Sequence, residues 1–287
     1  MRSQDVEVLR EVRRQMLREA HEEMRRQEVR GQMRREVRSQ VRSEMRSQMR
    51  GQVRAKELSA VRAGPRIRRS ASVDGVGARL LEAYAALAER GEHLFAGLLG
   101  GATPKQWAHY PEDDAIDASR GYQWFYHSHS PEDRPGSSEH GHIHLFARRP
   151  LWGRRLRSKS ERAFAGLCGD PVSDAHTRHL LAIGFDAKGL PVSLFTVNSW
   201  VTGDLMLGAD LTMELLESME LDTGHPEVDA VVEATIRMCL AELSELMAAR
   251  DKSLAAHVGP DKLGDSSLEL LSEIAVDLDA KLAIQGD

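Results

Sequence analysis

Beyond residue 75 the apolar positions change period several times, and each change predicts an element. Leu80, Leu81, Tyr84, Leu87, Leu94 and Leu98 recur at helical spacing, which predicts a helix over about 76–98, stopped by Gly100-Gly101. The stretch WAHYPEDDAIDASRGY (107–122) keeps no period and reads as irregular. Four segments then carry strand character, 122–129, 140–148, 179–185 and 190–198. The first two flank the turn-rich SPEDRPGSSE, and the last two flank Asp186-Ala187-Lys188-Gly189, a tight-turn sequence with glycine placed late. After Trp200 the helical period returns over 209–220, over 226–249 from Pro226 onward, and over 267–284. Helix, strands, then helices predicts an α+β fold: an antiparallel sheet of at least four strands, in two hairpins, packed against N- and C-terminal helices.

The N-terminal part follows another rule. Residues 31–54 are six tandem tetrapeptides that place arginine at 34, 38, 42, 46, 50 and 54, each after Met or Val. A period of four drifts by about 40° per repeat on a helix, so the Met/Val stripe winds around it and specifies no steady seam. Residues 1–62 therefore read as an arginine-rich, low-complexity extension, helical or disordered. Residues 63–75, with Gly64-Pro65, read as a linker, and 76–287 as a single α+β domain. Charge divides the same way: residues 1–70 hold 20 Lys and Arg against 10 Asp and Glu, although the whole chain carries −5. A basic arm can meet nucleic acid, but this one has no interleaved aromatics for base stacking, so nucleic acid is not the expected partner.

Composition narrows the class further. No apolar run reaches the roughly 18 residues of a membrane span, and the mixed-charge N-terminus does not read as a secretory signal. Cys168 and Cys239 are far apart and form no CxxC pair, which removes a thiolate metal site and a disulfide framework. A cytoplasmic protein with reduced thiols is the expectation. Nucleophile-elbow, Walker, dinucleotide-binding, HExxH and kinase signatures are all missing.

The chemistry lies in the first hairpin. His127, His129, His140, His142 and His144 fall within eighteen residues. In strands, residues two apart share a face, so His127 and His129 point one way, as do His140, His142 and His144. A symmetric closure sets His127 opposite His142 and His129 opposite His140, with β-carbons about 4.5–5.5 Å apart, a gap that imidazoles bridge through one ion. All five are candidate ligands of a divalent transition metal, and the residues leave zinc, iron and manganese open. Glu139, at the strand mouth, is the candidate catalytic base. Asn198, Trp200 and Thr202, on the loop after the last strand, and His109 and Tyr110 are the candidate contacts for a small-molecule substrate. His179, opening the third strand, is a further candidate ligand or supporting group, expected opposite Thr196. The spacing from Gly121 to His127-Ser128-His129 reproduces only the opening of the first cupin motif, so a double-sheet barrel is not expected.

The strings HYP (109–111), YHSH (126–129), EHGHIHLF (139–146) and NSWVTG (198–203) together resemble an uncharacterised bacterial domain family of unknown function. The resemblance spans about 76–250. It implies a shared domain and site and assigns no reaction. A metal-dependent enzyme, of hydrolase or non-haem iron type, is the leading reading. Its rivals are a non-catalytic metal-binding or metal-sensing protein and an interaction module acting through the basic arm.

Overall fold

A computed structural model describes residues 75–105, 108–128, 138–169, 176–259 and 261–284. The arginine-rich extension, nearly all of the expected linker and His129 lie outside the described residues. The first elements are α1 (Val76–Arg90), α2 (Ala96–Leu99), β1 (Tyr110–Asp117), β2 (Tyr122–Ser128), β3 (Gly141–Arg148), α3 (Arg149–Trp152) and α4 (Lys159–Cys168). There follow β4 (Thr177–Phe185), β5 (Pro191–Val197), α5 (Ser199–Thr202), β6 (Leu205–Met206) and α6 (Ala209–Glu217). The chain closes with α7 (Pro226–Met238), α8 (Leu240–Ala256), β7 (Leu270–Ala275) and α9 (Leu278–Ile284).

Antiparallel pairing in the order β1-β2-β3-β4-β5-β7, with β6 parallel to β4, makes one sheet. The α+β expectation holds, with more strands than the two expected hairpins supply. The β4–β5 hairpin turns at Asp186–Gly189 as expected. Asp186 Oδ1 accepts from the N–H groups of Lys188 (2.8 Å) and Leu190 (2.9 Å), and Gly189 takes the positive φ of 80° that the turn requires.

Alternation splits the sheet into two unlike faces. Tyr122, Trp124, Tyr126, Ile143, Leu145, Ala147, Leu181, Ile183 and Leu194 are buried in one apolar cluster with residues of α1, α6, α7 and α8. Polar tips pin this face to the helices: Trp124 Nε1 donates to Asp229 Oδ1 (3.0 Å), and the Tyr122 hydroxyl to the Leu215 carbonyl (2.9 Å). Buried aromatics with a satisfied polar group fix orientation as well as burying area. The opposite face carries Phe125, His127, His142, His144, Phe146 and Phe195 and is buried too.

Four expectations are corrected. The helix expected over 76–98 stops at Arg90, where Gly91 takes a φ of 65° and its N–H donates to the Ala88 carbonyl, and α2 follows as a separate short helix. The stretch read as irregular contains the edge strand β1, which pairs with β2 through Tyr110–Tyr126 and Ala115–Trp124 to Asp117–Tyr122. The expected 267–284 helix is instead the strand β7, paired from Ser193–Ala275 to Val197–Leu270, followed by the short α9. The single helix expected over 226–249 breaks at Cys239 into α7 and α8, and α4 was not anticipated.

Candidate metal centre

The site grows out of strand register. His127 pairs directly with His142, and Phe125 with His144, so the histidines of β2 and β3 share a face as their phase requires. Three imidazoles converge. His142 Nε2 lies 2.5 Å from His127 Nε2 and 2.9 Å from His144 Nε2, and all three rings are buried, at 8, 5 and 1% exposure for His127, His142 and His144. One nitrogen from each falls within 4.8 Å of the other two, the arrangement that can hold a metal ion. Metal–nitrogen bonds of about 2.1 Å put neighbouring ligand nitrogens about 3.0 Å apart in an octahedron and about 3.4 Å apart in a tetrahedron. The observed spacings lie within about an ångström of those values.

Proton accounting bears on what the cluster can hold. Glu139 Oε1 lies 2.7 Å from His142 Nδ1, and the carboxylate is 2% exposed. An ionised carboxylate only accepts, so Nδ1 carries the proton and Nε2 of the neutral ring presents a lone pair. That single lone pair faces two other nitrogens at 2.5 and 2.9 Å, and two N–H donors cannot both aim at it well. A cation between the rings would accept a lone pair from each of the three. Glycine makes the approach of Glu139 feasible. A β-carbon on Gly184, the β4 partner of His142, would fall 2.5 Å from Glu139 Oε2 and closer still to Ser193 Oγ.

A bulge recruits one more histidine. Leu145 pairs with Leu181 but Phe146 with His179, so Leu180 is an extra residue that shifts the phase of β4. Strict alternation would send His179 to the helix side with Leu181 and Ile183. The bulge turns it to the histidine face, where His179 Nε2 lies 3.0 Å from His144 Nδ1. It therefore supports His144 from behind, as Glu139 supports His142. It is not opposite Thr196, as had been expected: Phe195 pairs with Ala182, and the Thr196 hydroxyl bonds Ser272 Oγ at 2.7 Å. Burial, helped by the neighbouring histidines, pushes His144 well below the ordinary imidazole range. Burial, with His142 and Arg250 adding to it, takes His179 down to about 3. Both rings are thus neutral near pH 7, the state in which an imidazole nitrogen can bind a metal ion.

The other expected residues fall in different places. His140 is exposed at the entrance to β3, where its N–H donates to the Phe185 carbonyl (2.7 Å), and it is not part of the convergent group. Glu139 faces the outer nitrogen of His142 and not the centre of the triad. Asn198 is fully buried and spends its amide on the carbonyls of Lys262 (2.9 Å) and Leu268 (3.0 Å), and Trp200 Nε1 donates to Leu268 (3.1 Å). The expected loop is the short helix α5 with Asn198 as its N-cap, and it clamps the chain ahead of β7. It reaches the histidine side through Val201, which packs on Ala182, Phe195 and Val197, while Thr202 is part-buried at its end. The Tyr110 hydroxyl accepts from the Lys105 N–H (2.8 Å). His109 does reach the site, stacked on Phe125 at 3.7 Å with its ring centroid 6.4 Å from that of His127. Apolar rings complete the surroundings: Phe125 is 5.2 Å from His144, and Phe195 is 5.0 Å from His142.

Among the described residues no helix is long and apolar enough to cross a membrane. Comparison with known proteins found no match among curated proteins and none among solved structures. Residues 74–276, a longer span than the resemblance covered, match a family model described as Domain of unknown function (DUF6969). The chain belongs to this family of unknown function.

Proposed function

We propose that the chain is a metal-dependent enzyme of the hydrolase type, with His127, His142 and His144 as its metal ligands. The observation that carries the reading is the convergence of three Nε2 atoms, one of them held in its lone-pair form by Glu139. Three neutral nitrogens leave coordination positions open, which is the mark of a catalytic site as against a structural one. A zinc-like ion there supplies a Lewis acid and an activated water at neutral pH. Among the described residues the triad has no carboxylate ligand of the two-histidine oxygenase pattern, since Glu139 is turned to the far side of His142. The chain's own residues orient the rings through Glu139 and His179 and surround them with Phe125, Phe146 and Phe195, a low-dielectric setting that strengthens polar interactions.

The test is elemental analysis of untagged full-length protein, with cobalt(II) replacing the native ion. One ion per chain is expected, lost in the His127→Ala, His142→Ala double variant, together with visible bands that shift when thiocyanate occupies an open position. Full metal content in the double variant would overturn the ligand set. Bands indifferent to thiocyanate would mean a saturated site and a non-catalytic role.

A further inference from the structure

Beside the triad lies a second polar constellation, on the edge strand. The β1–β2 register steps from Tyr110–Tyr126 to Ala115–Trp124, so residues 111–114 stand opposite Phe125 alone. This bulge ends at Asp114, which has a φ of 55°, a left-handed conformation that Asp tolerates better than most residues. Asp114 Oδ1 lies 3.2 Å from His109 Nδ1, and its Oδ2 accepts from Gln123 Nε2 at 2.7 Å. His109 is also gripped through its ring, which lies nearly parallel to Phe125, at 7°. One residue ahead of the Tyr110–Tyr126 pair, it sits next to His127 across the sheet.

The same proton logic applies as at His142. Asp114 accepts, so His109 Nδ1 carries the hydrogen and Nε2 presents a lone pair. His109 is not in the group whose nitrogens lie within 4.8 Å of one another, so it is no fourth ligand in this geometry. With its centroid 6.4 Å from that of His127, the His109 ring is near enough to meet what an ion on the triad would bind.

We infer that His109, oriented by Asp114, is a substrate-binding residue that accepts a hydrogen bond from the ligand that meets the ion. This rests on the metal reading above and adds a substrate class to it: small molecules with an N–H or O–H donor beside the atom that meets the ion. Gln123 and Phe125 act as positioning residues that hold the His109–Asp114 pair.

Two probes on cobalt(II)-loaded full-length protein separate the possibilities. Acetohydroxamate keeps an N–H beside its metal-binding oxygen, and thiocyanate has no hydrogen. In His109→Phe the ring stack on Phe125 is retained and the lone pair is gone. In Asp114→Asn the carboxylate that holds the proton on Nδ1 is gone. Each variant is expected to bind cobalt as the parent does and thiocyanate within about twofold of the parent; His109→Phe is expected to bind acetohydroxamate about tenfold more weakly, the weight of one hydrogen bond, and Asp114→Asn, which keeps an oxygen acceptor without the charge, to show a smaller loss of the same probe. Equal losses for both probes, no loss for either, or weakened cobalt binding would overturn the assignment of His109 while leaving the triad in place. Failure of the parent protein to take up cobalt would overturn the metal reading and this inference with it.

Discussion

Glu139→Ala probes the logic of the site without touching a proposed ligand. The carboxylate lies 2.7 Å from His142 Nδ1, with side-chain exposures of 2% for Glu139 and 6% for His142, so neither water nor salt screens the contact appreciably. Removing it takes away the charged acceptor that fixes the tautomer, and His142 can then move its proton to Nε2, the atom meant for the ion. Losing such an outer contact typically costs 10–100-fold in metal affinity, equivalent to about 1.4–2.7 kcal/mol. Glu139→Gln keeps an oxygen acceptor without the charge and should fall between the parent and the alanine variant. Competition for zinc against a chromophoric chelator at pH 7 measures this, with thermal melting of the metal-free proteins as a check on folding. Zinc affinity in Glu139→Ala within about twofold of the parent would refute the tautomer argument, and so would a loss of affinity that merely tracks a fall in melting temperature.

Other consequences follow from the same geometry. Gly184→Ala puts a methyl group into the space of the Glu139 carboxylate, so zinc affinity should drop about tenfold or more in the chelator assay while circular dichroism still reports the sheet. His140→Ala, at an exposed position outside the triad, should leave metal content unchanged, whereas His144→Ala should abolish it; both are read by elemental analysis. Asp117 accepts from the Ser119 N–H and hydroxyl, the Arg120 N–H and guanidinium, and the Asp222 N–H. Burial pushes this carboxyl up, but the donors from Ser119 and Arg120 outweigh it and hold it below the usual range. A depressed carboxyl contributes stability above its unfolded value of about 3.9, lost as the pH falls through the folded value. Asp117→Asn should therefore lower the melting temperature at pH 7 by about 4–8 °C, for a cost of about 2 kcal/mol, with the gap to the parent closing as the pH falls below the ordinary carboxylate range. A gap that stayed constant with pH would contradict the assignment.

The face-sharing of the histidines was legible because alternation is rigid: once residues 122–128 and 141–148 are strands in one hairpin, His127 must meet His142 or miss it by a whole face. The Asp186–Gly189 turn was legible for the same local reason. What hid was non-local. YPEDDAID is poor in strand-forming residues and is a strand because β2 offers an edge to pair with, and LLSEIA has helical spacing yet pairs with β5. The Leu180 bulge leaves no mark in the pattern, so the contact of His179 with His144 could not be read from spacing. Asn198 and Trp200 looked like ligand-binding groups because they are polar and sit at a strand end. Only the distant carbonyls of Lys262 and Leu268 reveal their clamping role.

X-ray absorption at the metal edge of the zinc-loaded, untagged chain tests the central claim most directly. The expected spectrum has one ion per chain, three imidazole nitrogens at about 2.0–2.1 Å and at least one further light ligand from solvent. A spectrum with one imidazole or none, or a chain that takes up no ion, would contradict the account.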